Sequence, residues 1–309
     1  MAQHRTLIAV VAVFLMAIAV PASAIDPFGL RGEHRTRGSS SEKATSGGVE
    51  LRPYRDLGSW IDMFDKGPWK NPQHAVTRAA NRGVSTLFIQ TANYRSKHAL
   101  YRPRALAKLV DAAHDAGLDV VAWYLPSFKN LERDLKRAKA AIDFTTDAGG
   151  RFDSFAMDIE STKVENVNRR NERMLRLSRR VRHYVGDAYA MAAIVPEAGA
   201  LYWPGFPYLS VSEHYDVFMP MGYFTYRVHG RAAVRRYTRG NIDAIRNGVA
   251  DASFPVHAIG GIAGRTGPGE VEAFVKAVKG RAALGGSLYD LPITENNEWR
   301  QLKPLRRTP

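Results

Sequence analysis

Short apolar segments alternate with longer amphipathic ones between about residue 56 and residue 304, and this alternation limits the folds open to the chain. Eight of the short segments have the length and composition of buried β-strands. Strands that alternate with helices pair in parallel, and eight parallel strands close a barrel that has no exposed edge. The length of this region is also typical of such a barrel, which takes roughly 250 residues. The predicted strands are residues 58–64, 85–90, 119–125, 154–160, 189–195, 217–222, 256–260 and 286–289.

The sequence therefore predicts an α/β fold, a single (β/α)8 TIM barrel at residues 56–304. The alternative is an open, doubly wound sheet. No G-x-G-x-x-G follows the first strand and no G-x-x-x-x-G-K-[ST] occurs, so nothing favours a nucleotide-binding sheet.

The connection between strands five and six is predicted to be a long loop with at most one helical turn. The predicted helices are residues 72–82, 102–116, 131–147, 164–185, 232–247 and 269–279. Left-handed glycines are expected at five of their ends, namely Gly83, Gly117, Gly186, Gly248 and Gly280.

The N-terminal residues are predicted to direct export. A basic start precedes an apolar run at residues 7–20, and Ala22-Ser23-Ala24 is a small-x-small cleavage site. The run is short for a transmembrane span, although an uncleaved membrane anchor is the alternative. We predict a signal peptide at residues 1–24, a flexible Gly- and Ser-rich linker at 25–55 and a basic tail at 305–309. The expected location is extracellular, with attachment to a cell wall left open, and no stable membrane span is expected after cleavage.

Composition excludes some chemistries. The chain has no cysteine, so it has no disulfide, thiolate metal site or cysteine nucleophile. No H-E-x-x-H or similar ligand spacing occurs, and we predict neither a metal nor a cofactor.

The formal net charge of +14 would attract anionic cell-wall polymers. The basic helix at residues 169–182 is one surface that could bind them, although a solvent-exposed basic face also explains its arginines. No common nucleic-acid recognition motif is present, so no specific nucleic-acid partner is expected.

The fourth predicted strand carries the strongest functional signal. Side chains alternate along a strand, so Phe155, Met157 and Ile159 are expected to face the helices. Asp158 and Glu160 are then expected to point into the barrel, at the C-terminal end where barrel active sites lie. Burial and mutual repulsion raise the pKa of at least one such carboxyl group, so that one acts as a general acid while the other stays ionised. An internal ion pair with an arginine or lysine is the alternative.

This segment resembles the strand-four signature of family 18 glycoside hydrolases, D-G-x-D-x-D-x-E. Asp153 fits the first Asp, Asp158 the last Asp and Glu160 the catalytic Glu. Ala156 replaces the middle Asp, and Ser154 replaces the Gly. The resemblance implies that Glu160 is the acid and that Asp158 orients a substrate acetamido group or supports Glu160.

Two further segments also resemble that family. Met221 and Tyr223 fit the M-x-Y-D of its sixth strand, where Phe224 replaces the Asp, and residues 285–290 resemble its closing G-G-x-x-x-W, with Tyr289 at the aromatic position. The resemblance implies that Tyr223 helps to hold the acetamido group.

A second resemblance is to family 25 lysozyme-type hydrolases. Asp-x-Glu on a barrel strand, together with Asp62 late in strand one, is similar to their pattern. Their substrate is the glycan strand of peptidoglycan. Both resemblances extend over residues 56–304, and both imply a secreted glycoside-hydrolase-like barrel.

Other strand ends supply candidate substrate contacts. A second carboxylate would serve as nucleophile or base, and strand seven has none, so the candidates are Asp62, Glu197 and Asp290. Each also suits a loop cap or an ion pair.

Trp123 and Tyr124 end strand three, and one of them must point inward. His257 is expected to be a satisfied core group. Amide, carboxylate and aromatic groups suit sugar rings, and the predicted substrate-binding residues are Asp62, Gln90, Tyr124, Tyr223, Asp290 and Trp203.

Three functional hypotheses follow. The leading one is a secreted glycoside hydrolase acting on a polysaccharide or oligosaccharide that contains N-acetylhexosamine, as in peptidoglycan or chitin. The alternative is a catalytically inactive glycan- or cell-wall-binding barrel, because the signatures are incomplete at Ala156 and Phe224. The third is a basic wall- or nucleic-acid-associated scaffold, whose binding would fall steeply with salt.

Overall fold

Eight parallel strands form the centre of the fold in the computed structural model, which describes residues 49–307. Seven of the eight neighbouring strand pairs form parallel ladders, two of them with a register shift. The sixth and seventh strands are joined by isolated parallel bridges from Phe218 to Val256 and from Met221 to Ile259. The predicted (β/α)8 TIM barrel is therefore confirmed. The strands are β1 Asp56–Ile61, β2 Thr86–Asn93, β3 Asp119–Leu125, β4 Ser154–Asp158, β5 Met191–Val195, β6 Val217–Pro220, β7 His257–Ile262 and β8 Gly285–Tyr289.

Helices follow the strands around the barrel, and the long ones lie within a few residues of their predicted bounds, except that α4 ends five residues before its predicted end. The connection between β5 and β6 contains only one short helix, as predicted. Two further short helices, the first and the last, were not predicted. The helices are α1 Lys66–Lys70, α2 Pro72–Asn81, α3 Pro103–Asp115, α4 Leu131–Ile142, α5 Val167–Val185, α6 Tyr208–Ser212, α7 Arg231–Val249, α8 Glu270–Gly280 and α9 Asn296–Leu302.

The predicted glycine helix ends are only partly confirmed. Gly83, Gly117 and Gly186 have positive φ angles of 71°, 73° and 74°. Gly248 and Gly280 instead lie inside α7 and α8, so their prediction is wrong. The helix α7 continues one residue beyond Gly248, to Val249, whose side chain is buried. Ala250 then takes the left-handed position, with a φ of 59°.

Alternation along the strands divides the core into two layers. Phe155, Met157 and Ile159 belong to the larger cluster between the strands and the helices, as predicted. Ala156 belongs to the smaller cluster inside the barrel, together with Trp60 and other inward-facing residues. The even-numbered residues of β4 therefore point along the barrel interior, which carries Asp158 and Glu160 toward the C-terminal mouth.

The N-terminal end of the barrel is covered by residues that the sequence prediction assigned to the linker. A 3-10 helix, Arg52–Tyr54, places Tyr54 in the barrel interior with no exposed surface. The Tyr54 hydroxyl contacts Ser154 Oγ and donates to the carbonyl oxygen of Phe155 at 3.1 Å. An aromatic side chain can bury a large apolar area while its hydroxyl finds a partner, which explains why this end of the linker joins the barrel.

The C-terminal residues pack in the same region. Leu305, which was predicted to begin the basic tail, is buried. Arg307 lies 3.3 Å from carboxylate oxygens of both Asp56 and Asp119. The predicted signal peptide and the start of the linker lie outside the described residues. Between residues 49 and 307, no helix combines the length and apolar character needed to cross a membrane.

A hydrogen-bonded chain runs through the barrel interior above Tyr54. The Trp60 indole nitrogen donates to Ser287 Oγ at 2.9 Å, and His257 Nε2 lies 3.1 Å from the same oxygen. His257 Nδ1 lies 2.9 Å from the Tyr54 carbonyl oxygen, so it must donate there and Nε2 must accept. Burial lowers the pKa of His257 to about 4, which keeps the ring neutral. His257 is therefore a satisfied core group.

We expect Tyr54→Ala to lower the free energy of unfolding by about 3–5 kcal/mol, because it removes a buried aromatic ring and leaves a cavity. Urea denaturation followed by circular dichroism measures this loss. Tyr226→Ala is the matched control, since Tyr226 is 45% exposed and should change stability by less than about 0.5 kcal/mol. Equal losses in the two variants would contradict a structural role for the segment before β1.

Candidate active site

Five carboxyl groups meet at the C-terminal mouth of the barrel. Asp62 and Asp65 follow β1, Asp158 ends β4, Glu160 lies just beyond it, and Asp290 follows β8. Parallel strands bring these distant parts of the chain to one end of the barrel. Within residues 49–307, no lysine, arginine or histidine forms a salt bridge with any of the five. The ion-pair explanation for Asp158 and Glu160 is therefore not supported.

The carboxyl groups of Asp158 and Glu160 both have raised pKa values. Burial, followed by the charge of Asp62, raises the pKa of Glu160 to about 7. Burial, then the charges of Glu160 and Asp62, raises the pKa of Asp158 well above its ordinary value. Asp158 Oδ1 is buried and has no hydrogen-bond partner among the described residues. Asp158 was expected to stay ionised. The structure instead favours its protonated form, since neither a cation nor a donor stabilises its charge.

Asp62 lies between the other carboxyl groups and is held by its own loop. Tyr289 donates its hydroxyl to one Asp62 oxygen, and the Phe64 backbone amide donates to the other at 2.7 Å. The Trp69 indole donates to the Asp62 carbonyl oxygen at 2.7 Å. Burial raises the pKa of Asp62, while the bonds from Tyr289 and Phe64 oppose that rise. Asp62 is thus the member of the cluster best equipped to carry a negative charge.

Asp65 is a member of the site that the sequence analysis missed. Its carboxylate accepts the Asp62 backbone amide at 2.7 Å, which closes the loop after β1. Burial, followed by the charge of Asp290, raises the pKa of Asp65 to about 8. Burial and the charge of Asp62 raise the pKa of Asp290 to about 7. The spacing D-x-x-D directly after a strand is the sequence signal that could have identified Asp65.

Tyrosine hydroxyls line the mouth beside the carboxyl groups. Burial, then the charges of Glu160 and Asp158, raises the pKa of Tyr223 well above its ordinary value. The ring of Tyr223 packs edge-on against Tyr289 at a centroid distance of 6.2 Å. Burial and the charge of Glu160 also raise the pKa of Tyr202. These hydroxyls remain neutral near pH 7 and can serve as hydrogen-bond donors to a substrate.

Two predicted sugar contacts face away from the mouth. Tyr124 belongs to the cluster under the helices, and its hydroxyl donates to Asp134 of α4 at 2.6 Å. Trp123, its neighbour on β3, faces the barrel interior instead. Trp203 is 1% exposed, and its indole nitrogen donates to the Asn171 side chain of α5 at 2.7 Å. Its neighbour Tyr202 is the residue that lies near the carboxyl groups, since the charge of Glu160 acts on its hydroxyl. In each pair the neighbouring aromatic residue, Trp123 or Tyr202, points inward in place of the predicted one.

Other sequence candidates have structural partners. The Gln90 side-chain oxygen accepts the Met63 amide at 3.2 Å, which places Gln90 at the mouth as a support for the loop after β1. Glu197 forms an ion pair with Arg227. Asp153 lies at the start of β4, where it accepts the Val120 amide at 2.7 Å, so it is remote from the mouth. Among residues 49–307, no group of acidic or histidine side chains has the geometry to hold a metal ion.

Comparisons with known proteins agree with the barrel. No protein-family model matches the sequence, and no curated protein sequence matches it. An endo-1,4-β-mannanase from Rhizomucor miehei superposes with a TM-score of 0.64 at 9% identity, over 85% of this chain and 97% of the mannanase. A chitinase from Bacteroides thetaiotaomicron gives 0.60 at 10% identity, over 82% and 96% of the two chains.

A third solved structure adds a protein named for action on bacterial spores. The spore cortex-lytic enzyme SleL of Bacillus cereus superposes with a TM-score of 0.59 at 11% identity, over 82% of this chain and 75% of SleL. The fold of this chain is thus the TIM barrel that these glycoside hydrolases share.

We expect Glu160→Gln to stabilise the folded protein at high pH. Burial raises the pKa of Glu160 from 4.5 to about 7, so ionisation disfavours the folded state. The wild type should lose stability as pH rises from about 4.5 to about 7, and the variant should avoid that loss. The expected gain is about 2–3 kcal/mol at pH 8.5 and near zero at pH 4. Urea unfolding at both pH values measures it.

The exposed Glu213 supplies the control, because Glu213→Gln removes the same charge from the surface. A gain of equal size in both variants would reflect the net charge of the protein and not the burial of Glu160. A loss of stability at pH 8.5 in Glu160→Gln would contradict the raised pKa.

Proposed function

We propose that this protein is a glycoside hydrolase with Glu160 as the general acid. The observation that carries the proposal is a partly buried carboxyl group, with its pKa raised to about 7, just beyond the C-terminal end of a TIM-barrel strand. A group with this pKa is partly protonated at neutral pH, yet it gives up its proton readily. The superposed mannanase, chitinase and spore cortex-lytic enzyme support the same class of reaction.

In the proposed reaction, Glu160 donates its proton to the glycosidic oxygen as the bond to the anomeric carbon breaks. Positive charge then develops at that carbon, and the ionised Asp62 supplies negative charge at the same mouth. Water bonds to the anomeric carbon, either directly or after the acetamido oxygen of the substrate has done so, and the proton that the water releases returns to the carboxylates of the mouth. Asp158 lies deeper, and burial raises its pKa well above its ordinary value. It supports Glu160 by hydrogen bonding to the carboxylate that remains after proton transfer.

The proposed substrate is a glycan that contains N-acetylhexosamine. Tyr223 supports this choice, because its hydroxyl reaches the mouth and no described residue forms a hydrogen bond with it. A hydroxyl in this position suits the acetamido carbonyl. The superposed chitinase is named for chitin, which contains the acetamido group, and SleL is named for the spore cortex, whereas mannan lacks the acetamido group. Export, followed by action at a cell wall, completes the proposal and rests on the predicted signal peptide.

Product analysis tests the proposal. The purified protein is incubated with peptidoglycan, chitin oligosaccharides and mannan, and new reducing ends are identified by mass spectrometry. We expect cleavage of a glycan containing N-acetylhexosamine, with Glu160→Gln slower by about 10²–10⁴-fold, because it loses the proton donor but keeps the shape of the side chain.

Glu213→Gln is the matched control and should cleave at the wild-type rate. Cleavage that survives Glu160→Gln would place the chemistry elsewhere. Glycan binding without any cleavage by the wild type would favour the inactive binding barrel, which the replacements at Ala156 and Phe224 motivate. In that case Glu160→Gln should leave the affinity nearly unchanged.

A further inference from the structure

A basic cavity of about 430 Å³ lies at the same end of the barrel as the candidate active site. It is formed by the loop after β3, the loop after β4 and the first turns of α5. Its charged and capping residues are Lys129, Lys163, Glu165, Asn166, Arg169 and Arg173. We propose that this cavity binds an anionic substituent of the glycan, a carboxylate or a phosphate. The inference rests on the proposed function and narrows its substrate class.

The four cations of the cavity lack acidic partners. No carboxylate of residues 49–307 lies within salt-bridge distance of Lys129, Lys163, Arg169 or Arg173, although Glu165 also lines the cavity. The later arginines of α5 differ in this respect. Arg176, Arg180 and Arg182 pair with Glu172, Glu132 and Asp216 at 2.6–2.7 Å. Four cations without a carboxylate partner thus lie together at the cavity, which favours an external anion.

The cavity walls are held in place by two arginines. Arg170 is buried, and it donates to the carbonyl oxygens of Val164 at 2.8 Å and Glu165 at 3.0 Å. The same guanidinium donates to the Tyr202 carbonyl oxygen at 2.8 Å, which links the cavity wall to the mouth. Arg173 donates from Nε and Nη2 to backbone oxygens of the loop after β3. Its Nη1 has no partner among the described residues and remains available for a ligand.

The start of α5 adds to the attraction for anions. The helix runs for 19 residues, and its first turn borders the cavity. Asn166 caps the Arg169 amide at 2.9 Å, while the aligned peptide dipoles concentrate positive charge at this end. Carboxylates and phosphates form strong charge-assisted hydrogen bonds with arginine and lysine. The cavity therefore combines cations and peptide dipoles in one pocket that is open to solvent.

The cavity is close enough to Glu160 to act on the same ligand. Lys163 follows Glu160 by three residues, so at most about 11 Å of extended chain separates them. A sugar at Glu160 and its anionic substituent can therefore contact both places. Peptidoglycan carries lactyl and peptide carboxylates, whereas chitin is uncharged. An anion site here selects an acidic glycan of the peptidoglycan kind over chitin.

Calorimetry with three tetrasaccharides tests the inference. The probes are chitotetraose, chitotetraose phosphorylated at O6 and a peptidoglycan tetrasaccharide with free carboxylates, all measured in a Glu160→Gln background so that they stay intact. The quantity compared is the affinity for each anionic probe divided by the affinity for chitotetraose. We expect Lys163→Gln combined with Arg169→Gln to lower this ratio about tenfold at low salt. High salt should lower it as well.

A second double variant, Arg179→Gln with Arg235→Gln, removes the same charge from exposed helix positions outside the cavity and should change the ratio by less than about twofold. A ratio that falls for only one anionic probe identifies that group as the ligand. An unchanged ratio in the cavity variant, or equal losses in both double variants, would overturn the inference. Cleavage by the wild type is scored separately, and mass spectrometry of the probes after each titration shows whether they stayed intact. Affinities are compared only for intact probes, so a failure of the Glu160 proposal is distinguished from a failure of the anion site.

Discussion

The mouth of this barrel depends on one constraint, which is that five buried or partly buried carboxyl groups lie together without an ion-pair partner. Each group loses water on folding, and the charge of one disfavours the charge of the next. For Glu160 the rise in pKa from 4.5 to about 7 corresponds to about 3 kcal/mol against the ionised folded state. The barrel core must supply that energy, and the same penalty keeps a proton at the place where a glycosidic oxygen would take it. Stability and reactivity are therefore opposed at this site.

Much of the fold was predictable because it follows from alternation. The period of two in β4 correctly places Phe155 and Met157 under the helices and Asp158 inside the barrel. The ends of the barrel were harder to predict. Tyr54 and Leu305 were assigned to a linker and a tail, since single apolar residues in polar segments carry no periodicity. Only the closed barrel creates the sites that they fill.

The site was predictable at the strands and less so in the loops. Asp62, Asp158, Glu160, Tyr223 and Asp290 all meet at the mouth, because strand direction brings their positions together. Tyr124 and Trp203 were chosen over neighbouring aromatic residues, and the structure brings Trp123 and Tyr202 inward instead. The sequence left that choice open, because it depends on strand register and on loop contacts such as the bond from Arg170 to the Tyr202 carbonyl. The ionisation of Asp158 depended likewise on partners that only the folded chain reveals.

The most direct test of the account is the titration of Glu160 in the folded protein. Infrared difference spectra between the wild type and Glu160→Gln, recorded against pH, isolate the protonated carboxyl band of this one residue. Glu213→Gln supplies the corresponding band of an exposed carboxyl group. We expect a Glu160 midpoint near pH 7. A midpoint near 4.5 would show that burial does not hold a proton there, and it would contradict the role of Glu160 as a general acid.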